Sequence, residues 1–558
     1  LPLQAAPLDF EQVAPQRPPV TETPGGLLQA PQTPGSDSTT RVLDTLRAIV
    51  LLDSPDALEP RGPKVADGVH APSQGILADP RLNEALLPFL GKPATFGDLH
   101  AIAAEVVQAY RRADRPVVDV RIPEQDITSG AVQFVAIEGR VGNILPEGQK
   151  WFPAERLAGA VRAQPGDAIS ANRLLDDMAW LNRNPFRRSD ILFRKGETPG
   201  TTDLVVRTAD RLPFRPYFGY DDDGTEATDY HRFKAGFNWG NAFGLDQVFS
   251  YQFLTAPDPD QFRAHSAIWT VPFPWRHLAE FYGSFAESVP DTADTDLEAE
   301  SLQLGTRYVV PLPGREGFRH ELAAGVEFKR ANNNLLFGGD TVFASDAEIF
   351  QFRTSYLARL ADRRGVTTAH VGLVGSPGGF NDANSDEAFA AERAGAEAQY
   401  FYGFFNLQRT HPLPRGAALS LAFSSQYASD PLLASEQFSL GGAGSLRGFD
   451  QSVANGDRGW SATVELLSPP VSPLRWIGNA TAKDELRLVA FYGAGGVGIA
   501  DALPGEPDSY NLQSAGLGLR YDIGTRVSVR FDYGWQLDRV PELDPDSSRA
   551  HISVLISY

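Results

Sequence analysis

The stretch FSLGGAGSLRGF at residues 438–449 decides how the rest of the sequence is interpreted. It places a single cation, Arg447, among small residues, and its four glycines leave the backbone free to take positive φ and to pack closely against another surface. A loop that faces bulk solvent carries more polar side chains than this one. The stretch therefore predicts a loop that folds back onto the protein, with a flexible glycine loop as the alternative.

The composition excludes several classes of function. The chain has 558 residues and a formal charge of -20, whereas phosphate binding requires a cationic footprint, so nucleic acid is not an expected partner. The absence of cysteine excludes thiolate metal sites and disulfides. The sequence contains no run of about eighteen apolar residues, so it predicts no membrane-spanning helix. A membrane barrel is compatible with this, because its apolar residues alternate with polar ones.

Three regions follow one another along the chain. Residues 1–38 are rich in proline, which predicts an extended arm or linker. Residues 39–130 and 131–210 each carry the pattern of a strand, two helices and two strands, which predicts a small α+β module used twice. From residue 211 to 558, helical periodicity disappears and segments of about 9 to 12 alternating residues recur, a length that suits a tilted strand crossing a bilayer.

The alternating segments predict sixteen strands, an even number as a closed bacterial barrel requires. Connections after even-numbered strands are mostly short, whereas several after odd-numbered strands are long, including the connection 428–458, here called loop 6. This one-sided pattern is typical of outer-membrane barrels. The predicted fold class is therefore α+β domains followed by a 16-stranded antiparallel transmembrane β-barrel. A soluble all-β enzyme domain is the alternative.

No motif predicts catalysis or a bound cofactor. The segment Gly493–Gly498 fits the GxGxxG pattern, but the two prolines that soon follow prevent the helix that a nucleotide site needs. The nine histidines show no HExxH spacing, and Ser445 lies in no GxSxG elbow. We therefore expect no enzyme activity, no metal and no cofactor.

The sequence resembles the TpsB family of two-partner-secretion transporters, which export haemolysins and filamentous adhesins. Leu446-Arg447-Gly448-Phe449 is similar to the [VL]RG[FY] tip of the family's sixth extracellular loop. Residues 236–246 resemble the first barrel hairpin, and residues 181–185 with 203–206 resemble the second polypeptide-transport-associated (POTRA) domain. The resemblance covers about residues 40–558 and extends to the superfamily that contains the Bam assembly barrel.

The resemblance implies a function and a set of partners. The chain would export an unfolded TpsA-like passenger protein without nucleotide hydrolysis. It would reside in the lipid of the bacterial outer membrane after insertion by the Bam machinery. POTRA 1 (39–130) and POTRA 2 (131–210) would lie in the periplasm, and 211–558 would form the barrel. The alternative is an assembly factor of the Bam or Tam class, which shares the tip motif but usually has three or more POTRA domains.

The resemblance also assigns roles to particular residues. In the family, the loop arginine pairs with an Asp of an F-x-D-x-G motif on the inner barrel wall, but here Gly493 occupies that position. An unpaired arginine in a confined lumen is costly, so we expect Glu465 or Asp532 to accept from Arg447. The POTRA domains would capture the passenger by strand addition, at exposed strand edges and helix–strand grooves. The candidate residues for that contact are Val118, Val120, Ile122, Val135 and Val205.

Overall fold

A computed structural model describes most of the chain and divides it into two units. The described residues are 10–18, 38–289, 296–315, 317–337, 340–343, 347–478, 483–502, 504–505, 507–538, 540, 544 and 546–558. One unit contains residues 38–211, and the other contains residues 212–558 together with the segment 10–18, which begins with the one-turn helix α1 (Phe10–Val13). No helix among these residues is long and apolar enough to cross a membrane.

The first module of the smaller unit is a mixed sheet covered by two helices. In chain order its elements are β1 (Arg41–Leu43), β2 (Ala48–Leu52), β3 (Gly68–His70), α2 (Pro80–Leu86), β4 (Ala94–Thr95), α3 (Phe96–Arg112), β5 (Val118–Arg121) and β6 (Ala131–Glu138). The main sheet has the order β3-β2-β6-β5, and β1 pairs with β4. α3 begins at a capping box formed by Thr95 and Asp98, and its apolar stripe packs into the core of the module.

The second module has a three-stranded sheet. In chain order its elements are β7 (Arg140–Glu147), α4 (Ala154–Gly159), α5 (Ala171–Leu181), β8 (Arg187–Lys195) and β9 (Thr201–Asp210). The sheet order is β7-β9-β8, with β7 parallel and β8 antiparallel to the central strand. Leu174, Met178 and Leu181 line one face of α5 and are buried in the core, as their helical spacing requires.

The boundary between the two modules lies at Gly139, not between residues 130 and 131 as the sequence predicted. β6 pairs with β2 and β5, and its Val132 and Phe134 are buried in the core of the first module. The alternating apolar pattern continues from β6 into β7, so the sequence shows no break there. Residues 131–138 therefore belong to the first module.

The larger unit is a closed antiparallel barrel. In chain order its strands are β10 (Phe214–Asp221), β11 (Arg232–Ala242), β12 (Gln247–Thr255), β13 (Phe262–Pro272), β14 (Leu278–Ser288), β15 (Asp296–Pro311), β16 (Phe318–Phe337), β17 (Asp340–Phe343), β18 (Glu348–Asp362), β19 (Gly365–Pro377), β20 (Gln399–Pro412), β21 (Ala418–Ala428), β22 (Phe438–Leu440), β23 (Ala454–Gly456), β24 (Arg458–Leu467), β25 (Asp484–Gly498), β26 (Ser509–Ile523), β27 (Val527–Gln536) and β28 (Ser548–Ser557). β17 and the hairpin β22–β23 belong to connections, and the other sixteen form the wall, which closes where β10 pairs with β28. The predicted fold class is confirmed.

Two further helices, α6 (Asp386–Glu392) and α7 (Pro473–Trp476), lie in connections at opposite ends of the barrel. At the end where β10 begins, the turns have two to six residues, apart from residues 468–483, and we call this end the short-turn rim. Outward residues such as Phe218, Leu373 and Leu488 are large, apolar and exposed, whereas inward residues such as Gln252 and Gln351 are polar and buried. This distribution is typical of a barrel that is embedded in lipid.

Truncation of Phe134 tests the revised module boundary. Its ring is 1 % exposed in the first core. Phe134→Ala should therefore destabilise residues 38–211 by about 3–5 kcal/mol, measured by urea unfolding. Leu87→Ala, at an exposed position, is the matched control and should change stability by about 0.5 kcal/mol or less. Equal effects of the two substitutions would contradict the placement of β6.

Candidate functional site

Loop 6 lies inside the barrel, with its tip against the inner wall. Its hairpin β22–β23 leads to Leu446, Arg447 and Phe449, all of which are buried. Phe449 belongs to an apolar cluster that also contains Val497 of β25 and Leu512 of β26. The glycine-rich stretch is therefore packed rather than flexible.

Arg447 is enclosed by two carboxylates and an aromatic ring. Its Nη2 lies 2.6 Å from Oε1 of Glu465 on β24, and its Nη1 lies 3.3 Å from Oδ1 of Asp532 on β27. The guanidinium carbon lies 3.8 Å from the ring centroid of Phe491 on β25. Arg520 on β26 also contacts Asp532, at 2.8 Å. Two cations and two anions thus balance one another in a buried site, where an unpaired charge would be costly.

Gly493, at the position where the resemblance implies an Asp, provides space for the tip. A β-carbon there would lie 2.7 Å from Cδ1 of Leu446, so Leu446 occupies the volume that a side chain would need. The GxGxxG segment that begins at Gly493 is part of β25. Its glycines therefore serve close packing in a strand and not the start of a helix.

A second close approach fixes the backbone of the tip. Gly448 has φ +97°, and a β-carbon on Gly534 would lie 2.7 Å from the Cα of Gly448, so both positions require glycine. The amide of Gly448 donates to Nε2 of His551 at 3.1 Å, and its carbonyl accepts from Nε2 of Gln536 at 3.1 Å. Four residues of this site were not predicted from the sequence: Arg520, Gly534, Gln536 and His551. The alternation of inward and outward residues along β26, β27 and β28 could have identified them, because it places all four on the inner face.

The base of loop 6 is held by a buried carboxylate. Asp457 accepts two hydrogen bonds from Arg393, at 2.5 and 2.8 Å, and further bonds from the amides of Leu432 and Ala500. Arg393 directly follows α6 and Ala500 lies two residues after β25, so three connections are joined here. This part of loop 6 is therefore anchored independently of its tip.

The described part of the predicted N-terminal arm also contacts the inner wall. The carbonyl of Val13 accepts from Nε2 of Gln252 at 2.9 Å and from Oγ of Ser266 at 2.6 Å, and the carbonyl of Gln16 accepts from Nδ2 of Asn238 at 2.8 Å. Residues 10–18 are therefore not a free linker. An extended backbone has carbonyls without intrachain partners, and inward amide and hydroxyl groups bind them.

The POTRA candidates separate into two groups. Val118 and Val120 lie on β5, an edge strand, and Ile122 follows it; all three pack against the first core. Val135 lies on β6 and Val205 on β9, which are flanked by strands on both sides, and both side chains are buried. The prediction of an accessible strand edge is wrong for these two, because a central strand has no free backbone groups for another strand.

Comparisons with known proteins identify a matching family and a similar fold. The family model described as haemolysin secretion/activation protein ShlB/FhaC/HecB matches residues 200–521, and the model of the ShlB-type POTRA domain matches residues 67–139. The outer membrane transporter CdiB of Dickeya dadantii is 24 % identical over 361 residues, which span 61 % of this chain and 60 % of that protein. The heme/hemopexin transporter protein HuxB of Haemophilus influenzae is 22 % identical over 407 residues, 69 % of this chain and 68 % of the relative. The solved structure of CdiB from Escherichia coli superposes with a TM-score of 0.71 at 19 % identity, covering 98 % of this chain and 94 % of that chain.

Removal of both carboxylates should release the tip. Glu465→Gln with Asp532→Asn leaves Arg447 as an uncompensated buried cation, at a cost of about 3–5 kcal/mol. We expect trypsin to cleave the folded variant after Arg447, whereas the wild type, in which this residue is 6 % exposed, resists. Mass spectrometry of the fragments identifies the cleavage.

The matched control for this experiment is Asp362→Asn. It breaks the partly exposed pair between Asp362 and Arg409, and such pairs contribute little. Arg447 should remain protected in the control. Protection of Arg447 in the double variant as well would show that the two carboxylates do not hold the tip.

Proposed function

This chain belongs to the haemolysin secretion/activation protein family ShlB/FhaC/HecB, whose model matches more than half of it, and from this premise we propose that it is an export pore for a partner protein. The observation that carries the proposal is a wide, closed barrel whose lumen contains loop 6 and residues 10–18. A sixteen-stranded barrel encloses an aqueous channel unless something occupies it. Export then requires that these two segments give way to the passenger.

The barrel is oriented by its connections. β10 begins at the short-turn rim, directly after the POTRA domains, and those domains are periplasmic in this family. The short-turn rim therefore faces the periplasm, and the long connections face outward. The passenger, an unfolded TpsA-like protein, enters at the short-turn rim and leaves past loop 6.

The first POTRA domain supports capture of an extended passenger. β5 is one of the two edge strands of its main sheet, so its outer backbone groups are available for strand addition. Val118 and Val120 of that strand pack against the core, whereas Asp119 and Arg121 alternate with them and are exposed. In the second domain, β7 and β8 are the corresponding edges.

Export proceeds without a nucleotide in this proposal. The matching family is described as a secretion/activation protein, which is not an enzyme class. Folding of the passenger outside the cell would make its movement irreversible. The lipid of the outer membrane surrounds the barrel, and the Bam machinery inserts it. Family membership favours export over the assembly-factor alternative.

Arg447→Ala should abolish secretion of a co-expressed TpsA-like passenger, because the tip loses both ion pairs and its contact with Phe491. The barrel should still insert, which its heat-modifiable mobility reports. Arg363→Ala, at an exposed turn position, is the control and should secrete normally. Normal secretion by Arg447→Ala would refute the role of the tip.

Loss of the N-terminal contacts should open the channel. Gln252→Ala with Ser266→Ala removes both donors to the carbonyl of Val13. We expect a higher single-channel conductance in planar bilayers than for the wild type. Glu11→Gln, which alters a carboxylate that is largely exposed and 3.3 Å from Arg353, is the control and should leave the conductance close to that of the wild type. Unchanged conductance in the double variant would contradict occlusion by residues 10–18.

A further inference from the structure

The two ends of the barrel carry opposite charge. The seven turns of the short-turn rim contain eight Arg and Lys against two Asp and Glu, whereas the eight connections at the other end contain 26 Asp and Glu against three Arg. The chain as a whole has a net charge of -20, but the short-turn rim is basic. A concentration of cations at one end attracts anionic partners or surfaces.

Three neighbouring turns of the rim form one surface, which we call the basic patch and define by its described residues: 413–417, 468–478, 483 and 524–526. A β-carbon on Gly416 would lie 3.2 Å from Cδ of Pro470, and the amide of Gly524 donates to the carbonyl of Lys483 at 2.8 Å. The patch presents four exposed cations, Arg415, Arg475, Lys483 and Arg526. Within the described part of the chain, no ion pair involves these four side chains, and the nearby Glu485 is paired with Arg487.

Helix α7, in the longest turn of the patch, lies against the outer face of the barrel. On β25, Leu488 points outward and Phe491 inward, and strand alternation therefore places Asp484 on the outward face. The carboxylate of Asp484 accepts from Oγ of Ser472 and, at 2.9 Å, from the amide of Leu474 in α7. α7 is thus attached to the face that contacts lipid and not to the lumen.

α7 ends in an apolar tip that the protein leaves uncovered. Trp476 is 74 % and Ile477 is 79 % exposed, directly beside the cation Arg475. Tryptophan favours the headgroup level of a bilayer, and basic side chains beside a buried apolar face strengthen binding to anionic lipid. An acidic protein partner would match the cations, but it would not account for an apolar tip on the lipid-facing side.

We propose that the basic patch is a binding surface for anionic phospholipid of the periplasmic leaflet. The Trp476–Ile477 tip enters the boundary between headgroups and acyl chains, and the four cations bind the lipid phosphates. This assignment rests on the outer-membrane location of the barrel, but it is independent of export. The anchor would fix the height of the barrel in the bilayer beside strands β24 and β25, which contact the tip of loop 6.

The position of the Trp476–Ile477 tip of α7 is tested by fluorescence quenching. The full chain is reconstituted in nanodiscs that contain phosphatidylethanolamine and phosphatidylglycerol, with or without bromine near the headgroup end of the acyl chains. The signal of Trp476 is obtained as the difference between the wild type and Trp476→Phe. We expect brominated lipid to quench about half of this signal or more, and aqueous acrylamide to quench little of it. Quenching by acrylamide without quenching by brominated lipid would overturn the proposal.

The role of the cations is tested by lipid retention. The variant Arg415→Gln/Arg475→Gln/Arg526→Gln is compared with Arg61→Gln/Arg81→Gln/Arg111→Gln, a matched triple change at exposed positions of the first POTRA domain. Phosphatidylglycerol retained on the folded barrel is measured by native mass spectrometry. Because each arginine near an anionic surface strengthens lipid binding, we expect the retained fraction to fall at least about tenfold in the patch variant only.

Equal retention of phosphatidylglycerol by the two triple variants would overturn the proposal. So would a patch variant that retains the lipid but no longer binds the passenger, since the patch would then be a protein-docking surface. Heat-modifiable mobility confirms that every variant is folded. Passenger secretion is measured in parallel, so a failure of the export proposal is recognised separately from a failure of lipid binding.

Discussion

The buried guanidinium of Arg447 is the constraint on which the arrangement of the lumen depends. A cation inside a barrel is stable only when anions and aromatic faces replace its water, and Glu465, Asp532 and Phe491 do this from three different strands. Because these strands are fixed by the closed barrel, the tip of loop 6 has one well-defined seat. The glycines at 448, 493 and 534 are a consequence, since the backbone and Leu446 must approach the wall closely.

Both segments in the lumen are held by contacts that can be exchanged. Residues 10–18 use hydrogen bonds from wall side chains to backbone carbonyls, and the tip uses ion pairs and a few hydrogen bonds. A passing polypeptide in extended form offers the same carbonyl groups to the same donors. The wall can therefore release its resting contacts and bind a passenger without a change in the barrel strands, which is compatible with transport that consumes no nucleotide.

The barrel could be predicted from the sequence because each strand has a period-two alternation and because most of the long connections lie on one side. The sixteen strands were therefore predicted correctly. It was insufficient where a pattern ran through a boundary, as from β6 into β7, and where burial depended on strand order, as at Val135 and Val205. The contacts of Arg520 and His551 depend on where loop 6 enters the lumen, and no local pattern records that path. The proline-rich arm was predicted to be an extended linker because proline indicates that a segment forms no core of its own. Proline does not indicate whether the segment binds to another part of the protein.

The seat of the loop tip is tested most directly by a disulfide between Leu446→Cys and Gly493→Cys, in a chain that contains no other cysteine. A β-carbon at Gly493 would lie 2.7 Å from Cδ1 of Leu446, so side chains at the two positions are in direct contact, which a disulfide requires. The account predicts that the bond forms in the folded barrel in the outer membrane under mild oxidation. A folded barrel in which both thiols stay reduced under these conditions would contradict it.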